Sequence, residues 1–71
     1  MRIRLHDPKL LGDLRYIFER SGFIVEQHGE DAVEVLAAEA MDPKLAEEDA
    51  KLLLMLWRAM HPGVTAEPEE Y

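Results

Sequence analysis

The sequence predicts an α+β domain in which short strands and two amphipathic helices share one core. Three observations indicate this class. Apolar and polar residues alternate over 1–5, as in a strand with one buried face. Asp-Pro pairs at 7–8 and 42–43 each precede apolar residues with helical spacing, which is typical of a capped helix start. Between the helices, 23–27 and 32–37 are β-branched or alternating segments separated by a polar turn, as in a hairpin.

The size of the chain makes association an expected source of stability. Its 71 residues form one small domain, and such a domain buries only about 60% of its unfolded surface. Domains of this size usually gain stability from disulfides, a metal or association. The chain has no Cys, so disulfides and thiolate sites are excluded.

The charge and hydropathy of the chain exclude several partners. The formal net charge is −7, from 15 acidic against 8 basic residues, and no basic cluster offsets the repulsion of a polyanion. No stretch approaches the roughly 20 apolar residues of a membrane span, and the N-terminus has no apolar signal core. We therefore expect no nucleic-acid partner, no membrane partner and a cytoplasmic protein.

The first helix is expected to begin at Asp7, the N-cap, with Pro8 in the first helical position. Ser21 and Gly22 are expected to end it, because Gly tolerates the left-handed conformation that follows a helix. Between them one apolar stripe has spacings of three and four: Leu10, Leu11, Leu14, Ile17 and Phe18.

The hairpin is constrained by which residues must face the core. Four residues are expected to point inward: Phe23, Val25, Val33 and Val35. Glu26 and Glu34 are expected to point outward. Matching these faces across the turn favours an odd-length loop such as 29–31, although the sequence alone leaves the register open.

The predicted element order is β-α-β-β-α, with 64–67 as an optional fourth strand that Pro68 would confine to a sheet edge. With right-handed crossovers this order gives the ferredoxin-like plan, an antiparallel sheet with two helices packed on one face. The first and third strands are then central neighbours. The domain is expected to cover 1–67, followed by an acidic C-terminal tail over 68–71.

That topology also predicts an ordered pattern of charge on the open face of the sheet. Arg2 and Arg4 are expected to lie beside Glu34, as cross-strand pairs of opposite charge.

The second helix contains six consecutive apolar residues at 52–57. Advancing about 100° per residue gathers most of its apolar residues in one arc: Leu45, Ala46, Ala50, Leu52, Leu53, Leu56, Trp57, Ala59 and Met60. Leu54 and Met55 fall outside that arc, beside Lys51 and Arg58. Three interpretations stay open: singly exposed apolar residues, a partner-facing patch, or a ligand groove between the helices. The patch of Leu54, Met55, Lys51 and Arg58 is the predicted interface.

Candidates for catalysis or metal binding are few. His6 and His28 with Glu26 form a weak zinc hypothesis, since no pair of His has helical ligand spacing. Ser21 is the only serine and no His is placed beside it. An enzyme would use His28 with Glu26 or Glu30. No catalytic residue and no cofactor is predicted.

Several families of this plan are excluded by their motifs. The position after the first strand lacks the Cys-x-x-Cys of copper chaperones, and the central strands lack the aromatic residues of RNA-recognition domains. Three segments, 2–8, 23–27 and 59–64, resemble the matching segments of a group of short uncharacterised bacterial proteins. That resemblance implies no activity.

We therefore expect a non-catalytic protein-interaction module that self-associates through its second helix as a homodimer or as part of a larger assembly. The alternative is a regulatory domain that senses a small metabolite, and a small enzyme is the third hypothesis.

Overall fold

The computed structural model describes residues 1–69, and within them it has four strands and two α-helices. In chain order they are β1 Arg2–Leu5, α1 Leu11–Arg20, β2 Ile24–His28, β3 Ala32–Leu36, α2 Pro43–Met60 and β4 Ala66–Glu69. A short 3-10 turn, Pro8–Leu10, leads into α1. The strands form one antiparallel sheet, so the predicted α+β class is confirmed.

Both helical segments begin where the Asp-Pro pairs predict. Asp7 Oδ1 accepts a hydrogen bond from the Lys9 amide at 3.1 Å, and Asp42 Oδ1 accepts one from the Lys44 amide at 2.9 Å. Each carboxylate satisfies an amide that has no partner within the helix. Gly22 follows α1 with a φ of 97°, the left-handed conformation expected of it.

The sheet has the order β2-β3-β1-β4, with β1 and β3 as the central strands. Arg2 lies opposite Glu34, as predicted, whereas Arg4 lies opposite Ala32 and pairs with Asp31 and Glu69 instead of Glu34. In the hairpin His28 lies opposite Ala32, so the loop 29–31 has the expected odd length. Every inward residue of β2 and β3 thereby reaches the same face of the sheet.

The fourth strand begins later than predicted and runs further. Ala66 pairs with Leu5 and Pro68 pairs with Ile3. Pro68 and Glu69, expected in the C-terminal tail, thus belong to the sheet. Proline is compatible with this position because β4 is an edge strand, where an amide need not donate to a further strand. The rest of the predicted tail, 70–71, lies outside the described residues.

The core lies between the inward face of the sheet and both helices. Its largest fully buried side chains are Trp57, Phe18, Ile3, Leu5, Leu14 and Val33. Phe18 at the end of α1 meets Phe23 at the start of the hairpin in an edge-to-face contact, with ring centroids 5.8 Å apart. This contact joins the helix to the strand that follows it.

The orientation of α2 about its axis differs from the prediction. Ala46, Ala50, Leu54 and Trp57, spaced by four, four and three, are its buried residues. Leu54 is only 3% exposed, so its predicted place in an exposed patch is wrong. The helix is rotated by about 60° from the predicted orientation.

Two features explain the rotation. Ala46 and Ala50 belong to the core cluster in the first half of the helix, and Trp57 fills the core and donates a hydrogen bond to Asp13 of α1. The buried arc that apolar content predicts lies instead on the side of the helix with more leucines. Four large residues expected in the core are therefore more than half exposed: Leu45, Leu52, Leu56 and Met60.

Replacing one member of a like-charged cross-strand pair on the open face should stabilise the sheet. Glu26 lies directly opposite Glu34, and like charges in this position destabilise a sheet. Glu26→Lys should raise the free energy of unfolding by about 0.2–1 kcal/mol relative to Glu26→Gln, as measured by urea denaturation at low salt. Equal stability of the two variants would show that the cross-strand charge contributes nothing.

Candidate interaction surface

The outer side of α2 carries an apolar stripe, which we define as Leu45, Leu52, Leu56 and Met60. Their relative exposures are 61, 56, 60 and 60%. Spacings of seven, four and four place the four side chains along one line of the helix. Met55, which is 62% exposed, flanks the stripe. Large apolar side chains so arranged on a monomer usually mark an interaction site.

The stripe is long and rigidly held. It extends over 16 residues of α2, and the 15 steps from Leu45 to Met60 span about 22 Å. The helix is capped at Asp42, and its opposite side is buried in the core through Leu54 and Trp57. Its outer side chains are therefore presented on a fixed backbone, as a preorganised binding surface requires.

The apolar surface continues from α2 toward α1. Tyr16 on the outer side of α1 is 60% exposed. It lines a groove of about 330 Å³ between the helices, together with Ile17, Arg20 and Met60. A second groove, of about 280 Å³, has Leu52 and Leu56 among its lining residues. The surface thus has two grooves that could accommodate side chains from a partner.

The four residues of the predicted interface do not all lie on the surface. Met55, Lys51 and Arg58 are exposed on α2 as expected, whereas Leu54 is buried. Lys51 Nζ lies 3.5 Å from Glu47 Oε1, one helical turn earlier, in an exposed ion pair. The main part of the surface was not predicted from the sequence, because the four residues of the apolar stripe were assigned to the core.

The two helices are joined by a polar cluster of Asp13, Trp57 and His61. Trp57 Nε1 donates to Asp13 Oδ2 at 2.9 Å, and His61 Nε2 lies 3.3 Å from the same oxygen. The other ring nitrogen of His61, Nδ1, lies 2.9 Å from the Trp57 carbonyl oxygen. The imidazole stacks on the indole, with ring centroids 4.1 Å apart. The cluster thus connects the first turn of α1 to the last turn of α2.

This cluster has a structural role and little capacity for catalysis. Both neighbours of the His61 ring, a carboxylate and a carbonyl, can only accept hydrogen bonds. A neutral ring can donate to one of them, and a protonated ring can donate to both. In either state both ring nitrogens face Asp13 and Trp57, which leaves neither directed at a substrate.

The other candidates from the sequence lie apart from this surface. His28 Nε2 is 3.9 Å from Glu26 Oε2, and both side chains are largely exposed on the open sheet. Within residues 1–69 no three His, Cys, Asp or Glu side chains are grouped so that they could hold a metal ion, so His6 does not join them in a site. Ser21 Oγ donates to the Ile17 carbonyl oxygen at 2.9 Å, as a residue at a helix end.

The arginines of the open face lie among carboxylates. Arg4 contacts Asp31 at 2.6 Å and Glu69 at 2.7 Å. The hydrogen bond to Glu69 and the charge of Asp31 raise the pKa of Arg4 above its ordinary value. Arg2 lies 3.7 Å from Glu34. The positive charges of this face are thus matched by neighbouring acids, which leaves little attraction for a polyanion.

Comparisons with protein-family models, with curated proteins and with solved structures each give no match for this chain. Among the described residues no helix has the length and apolar character needed to cross a membrane.

Proposed function

We propose that the chain is a non-catalytic protein-interaction module that self-associates through α2. The observation that carries this proposal is the apolar stripe, four large side chains in line and each at least 56% exposed. These side chains do not contribute to the core of the domain, and an exposed apolar surface of this kind marks an interaction site. Covering it by a second copy would also add stability through association, which small domains without disulfides commonly use.

The energetic scale of this surface suits a weak, reversible dimer. Burying the apolar stripe and Met55 in both copies gains on the order of 10 kcal/mol. Association costs about 4–15 kcal/mol in lost translational and rotational freedom. At the lower end of that cost about 6 kcal/mol remains, which corresponds to a dissociation constant of tens of micromolar. We therefore expect the oligomeric state to depend on protein concentration in the range of tens of micromolar and above.

The overall plan proposed for the domain is the ferredoxin-like one. The element order β-α-β-β-α-β and the sheet order β2-β3-β1-β4 support it. Both helices then cover one face of the sheet, and their outer sides are directed away from it. This architecture leaves the apolar stripe accessible to a second copy.

Sedimentation equilibrium over a concentration series tests the proposal. The unmodified chain should dimerise as its concentration rises, and Leu56→Glu should remain monomeric because it places a charge in the middle of the stripe. Ile24→Glu is the matched control, since Ile24 is 50% exposed on β2, away from α2. It should dimerise normally. An unmodified chain that stays monomeric at high micromolar concentration contradicts the proposal.

The second candidate function is sensing of a small metabolite. A groove of about 270 Å³ lies between α2 and the end of the hairpin, lined in part by Phe23, Val35, Ala46 and Glu47. Ligand binding there would raise the thermal midpoint at fixed protein concentration, whereas a dimer's midpoint rises with protein concentration. The groove is at the small end for ligand sites and has few polar groups, so self-association is the better supported function.

A further inference from the structure

The ring of His61 lies between two groups that can only accept hydrogen bonds. Its Nδ1 is 2.9 Å from the Trp57 carbonyl oxygen, and its Nε2 is 3.3 Å from Asp13 Oδ2. A neutral imidazole has one N–H, so one of the two contacts would set a nitrogen lone pair against an oxygen lone pair. The side chain is only 25% exposed, which limits how far water can supply the missing donor. Only the imidazolium, with two N–H groups, satisfies both contacts.

Three further features around the ring favour its positive charge. Asp13 is a carboxylate, and a hydrogen bond between charged groups is about twice as strong as a neutral one. The ring stacks on the indole of Trp57 with centroids 4.1 Å apart, and the face of an indole attracts a cation. His61 is also the C-cap of α2, where a cation complements the negative end of the helix dipole. Carboxylate, aromatic face and helix terminus thus act in the same direction.

The other ionisable groups around the ring lie on the two helices. Those that line the groove beside it belong to α1 and are Asp13, Tyr16 and Arg20. On α2, Arg58 lies one turn before His61 with its side chain exposed. The segment 62–66 that follows carries no ionisable residue. The two arginines oppose a charge on the ring, but its hydrogen-bonding and stacking contacts among the described residues are with the carboxylate and the indole.

We propose that His61 makes the contact between α1 and α2 sensitive to protons. When His61 is protonated, its ring donates to Asp13 of α1 and to the Trp57 carbonyl of α2, and it holds the two helices together. Release of the proton to solvent removes one donor and the attraction between the ring and the carboxylate. This contact does not depend on self-association, because every group in it belongs to one chain.

The direction of the pH dependence follows from which state of the chain favours the proton. The folded chain presents two acceptors to the ring, whereas water surrounds both ring nitrogens in the unfolded chain. The stabilising contribution is therefore complete at acidic pH and is lost as the pH rises through the range in which imidazoles titrate, about pH 5–8. Above about pH 6 most carboxylates stay ionised, so this loss is separate from acid denaturation.

Urea denaturation at about pH 6 and about pH 8 tests the proposal. It is followed by circular dichroism at a concentration that keeps the chain monomeric. The equilibrium constant of unfolding should rise about three- to tenfold between these pH values. His61→Phe keeps a flat ring beside the indole but has no donor, so it should lose most of this rise.

The other groups that titrate in this range are controlled by matched variants. His6→Phe and His28→Phe make the same change at the two exposed histidines, and both should retain the rise. The α-amino group of Met1, which lies 3.1 Å from Glu34, is present in every variant. Its contribution is therefore the part of the rise that His61→Phe keeps.

The fluorescence of the folded chain gives a second measurement that does not depend on unfolding. Trp57 is the only tryptophan, and a protonated imidazole stacked on an indole quenches its emission more strongly than a neutral one. The emission should therefore fall reversibly as the pH is lowered from about 8 to about 6, over the same range in which stability rises. In His61→Phe it should stay constant.

Four results would overturn the proposal. The first is an equal rise of the unfolding constant in His61→Phe and in the unmodified chain, and the second is its loss in His6→Phe or His28→Phe. The third is constant emission from the folded, unmodified chain, which decides the question even if His61→Phe does not fold. The fourth is a change of emission without any change of the unfolding constant, because protonation would then leave the helix contact unaffected.

Discussion

Leu54→Ala should lower the free energy of unfolding by about 2–5 kcal/mol, whereas Leu56→Ala should change it by no more than about 0.5 kcal/mol. The two variants remove the same atoms from the same helix, two positions apart. Leu54 is 3% exposed and its removal leaves a cavity in the core. Leu56 is 60% exposed and loses almost no packing in the single chain. The contrast therefore depends only on the orientation of α2.

Urea denaturation at a concentration low enough to keep the chain monomeric measures this difference, since dimerisation would add a concentration-dependent contribution to both values. The slope of unfolding free energy against urea should stay the same in both variants. A larger loss for Leu56→Ala would restore the orientation that the sequence predicts. At high concentration Leu56→Ala should weaken dimerisation more than Leu54→Ala does, because Leu56 belongs to the apolar stripe.

The elements of the fold were predictable because their signals are local. Asp7 and Asp42 cap helices through amides only two residues away, and Gly22 adopts the positive φ that ends α1. The odd loop at 29–31 followed from one requirement, that inward residues on both strands reach the same core. Such constraints involve few residues and tolerate little variation.

The orientation of α2 was not predictable from the same kind of signal. Residues 52–57 are all apolar, so the helix has two neighbouring faces that could each be buried. Apolar content favours the face with more leucines. The chain buries the face with Ala46, Ala50, Leu54 and Trp57. That choice depends on the shape of the sheet and of α1, which the sequence of one helix does not contain.

The same limit applies to the candidate surface. Met55, Lys51 and Arg58 were placed correctly on the outside of α2, but the predicted patch also included Leu54, which is buried. A hydrogen bond between the buried face of α2 and α1 joins Trp57 to Asp13, 44 residues apart in the chain. Asp13 was indistinguishable in sequence from any acid in the first turn of a helix. Only the folded arrangement shows it as the acceptor for a buried indole.

Asp13→Ala should lower the free energy of unfolding by about 1–3 kcal/mol, because it leaves the buried Trp57 N–H without its acceptor. Asp13→Asn is the matched variant. Its side-chain oxygen can still accept from Trp57, while the charge opposite His61 is lost. We therefore expect Asp13→Asn to be clearly more stable than Asp13→Ala. Urea denaturation followed by fluorescence measures both, since Trp57 is the only tryptophan in the chain.

A double-mutant cycle with Trp57→Phe separates the indole hydrogen bond from the rest of the cluster. Phe has no N–H to satisfy, so Asp13→Ala should cost less in the Trp57→Phe background than in the unmodified chain. This cycle is followed by circular dichroism, because Trp57→Phe removes the fluorophore. An equal cost in both backgrounds would mean that Asp13 acts through the helix dipole or through His61 alone. A lower cost in the Trp57→Phe background would instead show that Asp13 stabilises the chain through the indole hydrogen bond. This bond would then hold the inner face of α2 in place, so that the apolar stripe is directed outward.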